Sequence, residues 1–198
     1  MTRIAVLVSG SGTNLQSLID AQKEGKLDGG EISLVVSSRP DVLAIERAEK
    51  AGIKTITIER KKHTDISEFD NALCTALSEN NIELVVLAGF LSVLGKKTLQ
   101  SFENRIINVH PALIPSFCGK GFYGLRVHEA ALEYGVKVTG ATVHFVNEVI
   151  DGGKIILQKA VDVLPDDTPQ TLQQRVMREA EWVLLPKAVA KFCRGELS

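Results

Sequence analysis

The chain has 198 residues, of which 44% are hydrophobic and 24% charged, and its formal net charge is −1 with a pI near 6.4. Surfaces that bind nucleic acid or anionic membranes normally carry a basic excess, so this balance argues against both partners. The three cysteines lie far apart without a C-x-x-C pair, and no apolar run is long enough for a signal peptide or a membrane span. We therefore expect a reduced, soluble, cytoplasmic protein without a structural metal.

Apolar strands alternate with amphipathic helices over the first 110 residues. In chain order the patterns predict strand 3–10, helix 13–26, strand 31–38, helix 41–51, strand 53–58, helix 65–80, strand 82–90, helix 95–102 and strand 105–110. These strands are continuously apolar rather than alternating, which is typical of parallel strands covered on both faces. The pattern predicts an α/β fold with a doubly wound, mostly parallel, Rossmann-like sheet.

The pattern changes in the last third of the chain. Residues 138–147 and 154–163 read as two strands joined through EVIDGG, which favours an antiparallel pair. A long C-terminal helix is expected over about 168–194, with Thr168 as the N-cap and Pro169 at the first helical position. Without repeats or a linker, we expect one domain in two parts, about 1–104 and about 105–198.

A glycine-rich turn, SGSGTN (9–14), joins the first strand to the first helix. The backbone amides of Gly12, Thr13 and Asn14 would point from a helix N-terminus toward an anion. The dinucleotide pattern G-x-G-x-x-G fails because Leu15 occupies the last glycine position, and no Gly-Lys-Ser/Thr follows. A phosphate monoester therefore fits this loop better than a dinucleotide or a nucleoside triphosphate, with an ordinary strand–helix turn as the alternative.

Two polar side chains, Asn108 and His110, interrupt the strand RIINVH and share one face because they are two residues apart. Pro111 holds His110 in an extended conformation. The carboxyl ends of parallel strands meet at one edge of a sheet, where ligands bind. This pair therefore lies at the same edge as the glycine turn, and the long loop 111–125 that follows could wrap a substrate.

Asp151 lies in the turn EVIDGG between the last two strands. It is either a solvent-facing turn residue or a partner of His110. In the second case it would favour the imidazolium and raise the pKa of His110, which suits a general acid in acyl transfer through a tetrahedral intermediate, with Asn108 donating to the oxyanion. A covalent role for Cys118 has little support, and a metal site from His144, Glu148 and Asp151 would need unusual geometry.

Four segments together resemble the folate-dependent formyltransferases, and within that family the enzymes that formylate glycinamide ribonucleotide in purine synthesis. The segments are VLVSGSGTNLQSLID (6–20), VVLAGFLSVL (85–94), IINVHPALIPSF (106–117) and GATVHFVNEVIDGGKIILQ (140–158). The resemblance covers nearly the whole chain. It implies formyl transfer from 10-formyltetrahydrofolate, as co-substrate, to the amine of glycinamide ribonucleotide, by a monomer or homodimer that uses no metal.

The resemblance also implies roles for individual residues. It gives a catalytic trio, with His110 as general acid, Asp151 raising its pKa and ordering water, and Asn108 holding the formyl oxygen. It implies a phosphate-binding and ribose-binding half and a catalytic, folate-binding half, and His144 is either a supporting residue of the trio or a structural strand residue. The expected substrate contacts are Gly12, Thr13, Asn14 and Glu181 for phosphate and ribose, with Glu179 as the alternative to Glu181, and Leu91, Ser92, Val93, Leu94 and Asn108 for folate.

This sequence departs from the family pattern at three positions. Ile66 stands where relatives often carry an arginine that contacts folate, Ser92 stands where some carry an arginine, and Arg126 stands where others carry a histidine. Two relatives are less compatible: methionyl-tRNA formyltransferase adds a basic C-terminal domain, and formyltetrahydrofolate hydrolase adds an N-terminal regulatory domain. A non-catalytic phosphometabolite-binding protein would need only the glycine turn.

Overall fold

A seven-stranded sheet forms the centre of the structure, a computed structural model that describes residues 1–197. The strands are β1 (Thr2–Val8), β2 (Gly30–Ser37), β3 (Thr55–Thr57), β4 (Leu84–Leu87), β5 (Ile106–His110), β6 (Val138–Phe145) and β7 (Ile155–Asp162). The helices are α1 (Thr13–Lys23), α2 (Leu43–Lys50), α3 (Ile66–Glu79), α4 (Lys96–Ser101), α5 (Leu125–Tyr134), α6 (Pro169–Val176) and α7 (Trp182–Cys193).

The strand order is β3-β2-β1-β4-β5-β6-β7; β1 to β5 are parallel to one another, and β6 is antiparallel to both of its neighbours, β5 and β7. This confirms the predicted fold class, including the antiparallel pair at the C-terminal side. The order reverses between β1 and β4, and ligands in such sheets bind in the crevice that this reversal opens at the carboxyl ends of the strands. The glycine turn after β1 lies at that crevice.

Both faces of the sheet are covered, which explains why the strands are continuously apolar. Successive residues of β1 belong to opposite layers: Ile4 and Val6 pack with α1, α2 and α7, whereas Ala5 and Leu7 pack with α3. All four side chains are buried. A strand buried on both sides cannot alternate with polar residues, so its sequence carries no period of two.

The C-terminal helix begins as predicted, because Thr168 caps α6 through the Thr171 amide and Pro169 occupies the first turn. The helical run continues to Cys193 but includes one wider turn, a π-helix over Met177–Glu181, between α6 and α7. Turns of this type often occur at functional sites. Glu181, the residue expected to contact ribose, is the last residue of that turn.

The sequence predicts the loop 111–125 but not helix α5, which follows it. Its buried face carries Val127, His128 and Ala131, so one of three inward positions is polar and the apolar period is weak. Gly135 ends the helix in the left-handed conformation, with φ of 81°.

Across residues 1–197, no helix combines the length and the apolar character needed to cross a membrane.

Candidate active site

The pairing of β5 with β6 brings Asn108 opposite His144. Asn108 Nδ2 lies 3.1 Å from His144 Nε2, and His144 Nδ1 lies 2.8 Å from the Phe145 carbonyl oxygen. Because a carbonyl oxygen only accepts, His144 carries its proton on Nδ1 and accepts from the Asn108 amide at Nε2. The buried His144 ring therefore orients the Asn108 side chain, whose amide keeps a second N–H.

The turn between β6 and β7 positions Asp151. Its backbone is left-handed, with φ of 56°, a conformation that aspartate tolerates better than most residues. Two residues later, a Cβ on Gly153 would lie 1.7 Å from the Phe145 carbonyl oxygen. Only glycine at this position lets the turn close onto β6. The Gly119 amide donates to Asp151 Oδ2 at 2.8 Å and fixes the carboxylate.

Asp151 lies between the two buried histidines rather than facing solvent. Its Oδ2 is 3.6 Å from His110 Nδ1, and its Oδ1 is 3.7 Å from His144 Nε2. The side chain of Asp151 is 10% exposed and that of His110 is 5% exposed. The sequence allows Asp151 to face either solvent or His110. In the structure the carboxylate faces His110.

The loop after β5 holds the other side of His110. The Phe117 carbonyl oxygen is 2.8 Å from His110 Nε2, so that nitrogen carries a proton and Nδ1 faces Asp151. Thr142, opposite His110 in the β5–β6 pair, anchors the start of the loop: its hydroxyl donates to the Ala112 carbonyl at 2.7 Å and accepts from the Ile114 amide at 3.1 Å. No pattern in the sequence indicates these loop contacts.

The electrostatics differ from the expectation in one respect. Burial lowers the pKa of His110 below the usual histidine value, and although Asp151 and the Phe117 carbonyl act in the opposite direction, they do not cancel it. Asp151 raises the pKa of His110 as expected, but desolvation, which the expectation left out, outweighs the carboxylate, so the pKa ends below its usual value. Burial raises the pKa of Asp151, but the hydrogen bond from the Gly119 amide acts in the opposite direction, and the pKa lies below its usual value, so Asp151 is ionised at neutral pH.

The glycine turn presents a row of free amides beside a buried carboxylate. Helix α1 begins at Thr13, so the amides of its first turn have no intrahelical acceptor. Asn14 Nδ2 donates to Glu181 Oε2 at 2.7 Å, which joins the glycine turn to the π-helix 167 residues later. Burial raises the pKa of Glu181 to about 7. Glu179 is exposed, so of the two glutamates only Glu181 lies against the turn.

The segment Leu91–Leu94 lies next to the same crevice. The Leu91 amide donates to Ser9 Oγ at 2.9 Å, and Ser9 Oγ is 2.6 Å from Ser38 Oγ, so the end of β1 holds this segment. The side chains of Leu91 and Val93 are 48% and 56% exposed. Exposed apolar side chains at the edge of a crevice are suited to a flat, partly apolar ring.

Comparison with known proteins identifies the family of the chain. Residues 2–189 match the model of the formyl transferase family. The chain belongs to the formyl transferase family. Phosphoribosylglycinamide formyltransferase of Haemophilus influenzae is 38% identical over 197 residues, which cover 100% of this chain and 90% of that protein. The solved glycinamide ribonucleotide transformylase 1 of Symbiobacterium toebii is 42% identical, with a TM-score of 0.92 over 98% of this chain and 89% of that one.

A longer relative matches in one part only. The human trifunctional purine biosynthetic protein adenosine-3 is 44% identical over 193 residues, which cover 98% of this chain but 18% of that protein. The chain thus spans about a fifth of the length of this curated relative. The likeness concerns a single region of a much larger protein.

The positions that depart from the family pattern lie outside the cluster around Asp151. Ile66 is the first residue of α3 and is 43% exposed. Arg126 stacks over the Tyr123 ring at 5.0 Å from its centroid.

Cys118 donates its thiol to the Pro115 carbonyl, and burial together with Asp151 raises its pKa, so the thiol stays protonated. Within residues 1–197, no three acidic, histidine or cysteine side chains are grouped to hold a metal ion.

Helix α5 of this formyl transferase carries a buried polar residue that no sequence pattern indicates. His128 on α5 is fully buried, and neither ring nitrogen has a hydrogen-bond partner among the described residues. Burial, together with the proximity of His110, lowers its pKa to about 4, so the ring is neutral at neutral pH. The burial of His128 follows from its place on the inward face of α5, so it can be predicted only once that helix is predicted.

Proposed function

We propose that this protein transfers the formyl group of 10-formyltetrahydrofolate to the amine of N1-(5-phosphoribosyl)glycinamide, which gives the N-formyl product and tetrahydrofolate in purine synthesis. The observation that carries the proposal is the contact of His110 Nδ1 with Asp151 Oδ2 at 3.6 Å, next to the Asn108–His144 pair, in a member of the formyl transferase family. A phosphate-binding loop alone would not require such a cluster. The names of the relatives from Haemophilus influenzae and Symbiobacterium toebii support the choice of acceptor.

Asn108 stabilises the charge that develops on the formyl oxygen. When the substrate amine attacks the formyl carbon, that oxygen becomes an oxyanion, and the second N–H of the Asn108 amide donates to it. His144 accepts the first N–H and holds the amide in place. A preorganised donor of this kind contributes about 2.7–4 kcal/mol to transition-state stabilisation in other enzymes.

His110 and Asp151 move the proton that the reaction must relocate. The attacking amine loses a proton and the departing N10 of the folate gains one, while the new C–N bond forms and the C–N10 bond breaks. His110 is the general acid in this exchange, and the ionised Asp151 stabilises its imidazolium form. A water ordered by Asp151 completes the path, since 3.6 Å is longer than a direct hydrogen bond.

Separate parts of the crevice bind the two substrates. The amides of Gly12, Thr13 and Asn14 bind the phosphate at the N-terminus of α1, and Glu181 accepts from the ribose hydroxyls. Backbone groups of Leu91–Leu94 bind the pteridine end of the folate. The reacting centre then lies near Asn108 and His110, at the ends of β5 and β6.

A substrate-pair assay tests this proposal. Purified protein is mixed with 10-formyltetrahydrofolate and glycinamide ribonucleotide, and deformylation of the folate is followed by absorbance. We expect turnover only when both substrates are present, with N-formyl product in equal amount. Turnover without the ribonucleotide would indicate a hydrolase, and the absence of ribonucleotide-dependent turnover would refute the proposal.

A further inference from the structure

Helix α2 lies directly behind the glycine turn. A Cβ at Gly12 would lie 2.7 Å from the Ala44 Cβ, so the turn packs on α2 with no room for a side chain. The Ala44 amide donates to the Gly10 carbonyl at 3.2 Å. The backbone of the turn is therefore held from the side of α2, and its conformation depends on that helix.

Arg47, one turn further along α2, contacts the glycine turn and helix α1 at once. Its Nε donates to the Ser11 carbonyl oxygen at 2.9 Å, and its Nη1 donates to Gln16 Oε1 on α1 at 3.1 Å. A planar guanidinium fixes two acceptors in one orientation, which a lysine ammonium cannot do. Arg47 lines a cavity of about 380 Å³ between α1 and α2, and neither Asn108 nor His110 lines that cavity.

The contact with Ser11 sets the direction of the Gly12 amide. The Ser11–Gly12 peptide bond is trans, so its C=O and N–H point in opposite directions. Since the Ser11 carbonyl points at Arg47, the Gly12 N–H points away from Arg47 and stays available to an anion at the start of α1. Rotation of this peptide would remove one donor from the anion site.

We propose that Arg47 is a positioning residue for the phosphate of the substrate: it touches no ligand and orients the Gly12 amide through the Ser11 carbonyl. This inference rests on the proposed function. It predicts a loss that is specific to the phosphate group, because Arg47 is remote from Asn108 and His110. It also predicts that positive charge alone does not replace the guanidinium.

The test uses Arg47→Lys and Arg47→Gln, with Lys50→Met as the control on the same helix. Lys50 is exposed and, within residues 1–197, forms an ion pair with Glu46 alone, at 3.8 Å, so its loss changes the charge of α2 without touching the turn. The values of kcat/KM are measured for glycinamide ribonucleotide and for the same compound without its phosphate. For both Arg47 variants we expect the ratio of these values to fall about tenfold or more through KM, with kcat and the folate KM unchanged.

Each outcome separates this inference from the proposed function. If the wild-type protein fails to use glycinamide ribonucleotide, the proposed function fails, and the inference fails with it. If the wild-type protein turns over but Arg47→Lys keeps the wild-type ratio, charge rather than orientation supports the loop, and the inference is overturned. An equal loss for both substrates also overturns it, because the effect would then not concern the phosphate. Thermal unfolding of each variant shows that the fold is intact.

Discussion

Replacement of Asp151 by asparagine tests the electrostatics of the site most directly. The asparagine keeps the size of the side chain and an oxygen that can accept from the Gly119 amide, but removes the negative charge 3.6 Å from His110 Nδ1. Burial already lowers the pKa of His110, and Asp151 is the largest effect that opposes this. Without the carboxylate the pKa of His110 falls further, so the imidazolium that forms when the ring accepts a proton is less stable.

The distance sets the size of the effect. Two unit charges 3.6 Å apart attract by about 1 kcal/mol in water and by about 5 kcal/mol at an effective dielectric constant near 20. Each 1.4 kcal/mol corresponds to a factor of about ten. General acid–base catalysis contributes about 10²–10⁴ in rate, which sets an upper limit. We expect kcat at pH 7 to fall about 10- to 1,000-fold.

The assay follows folate deformylation from pH 5.5 to 9, and NMR titration of the imidazole follows His110 independently. In Asp151→Asn the remaining activity moves toward lower pH, as does the His110 titration. Asp166→Asn, on the exposed loop after β7, is the control and leaves both curves unchanged. Near-normal turnover of Asp151→Asn with an unchanged pH profile would remove Asp151 from the proton path.

Three further outcomes are expected. Burial raises the pKa of Glu181 to about 7, so the carboxyl group is protonated below that pH and ionised above it. Because the ionised form accepts from the ribose hydroxyls, the KM for glycinamide ribonucleotide rises as pH falls from 8 to 6. In steady-state kinetics Glu181→Gln removes this pH dependence, whereas the control Glu179→Gln, at an exposed position, keeps it. Asp70 is buried and accepts three backbone amides at the start of α4, so Asp70→Ala lowers the free energy of unfolding in urea by about 1–3 kcal/mol, more than the exposed cap variant Asp65→Ala does. Cys118→Ser keeps kcat within about twofold in the same assay, since no covalent intermediate forms at this thiol, and a loss of about 100-fold or more would contradict that.

The apolar pattern of the strands predicts much of the fold and part of the site. A continuously apolar strand indicates burial on both faces, and each such strand of the first 110 residues lies in the parallel part of the sheet. The spacing of Asn108 and His110 placed both side chains on one face, at a strand end. The glycines after Asp151 indicated a tight turn, which brings the carboxylate back over β5. These are short-range rules, and they hold because each depends on backbone geometry within a few residues.

The remaining features depend on contacts between distant segments. The pairing of Asn14 with Glu181 joins residues 167 positions apart and needs the π-helix to turn the glutamate inward. The Phe117 carbonyl reaches His110 only because Thr142, on another strand, anchors the loop. No pattern within a single segment encodes such contacts. Helix α5 escaped prediction for a related reason, since His128 occupies an inward position that periodicity assigns to an apolar residue.

Burial and the charge of Asp151 have opposite effects on the pKa of His110. A carboxylate beside a histidine is commonly taken to hold the ring charged, but His110 is buried enough that its pKa is lowered despite Asp151. A ring that is neutral before reaction can accept a proton, and the nearby ionised carboxylate limits the cost of the imidazolium that results. Such a ring can serve at both ends of a proton transfer from an attacking amine to a departing nitrogen. A ring held permanently charged could only donate.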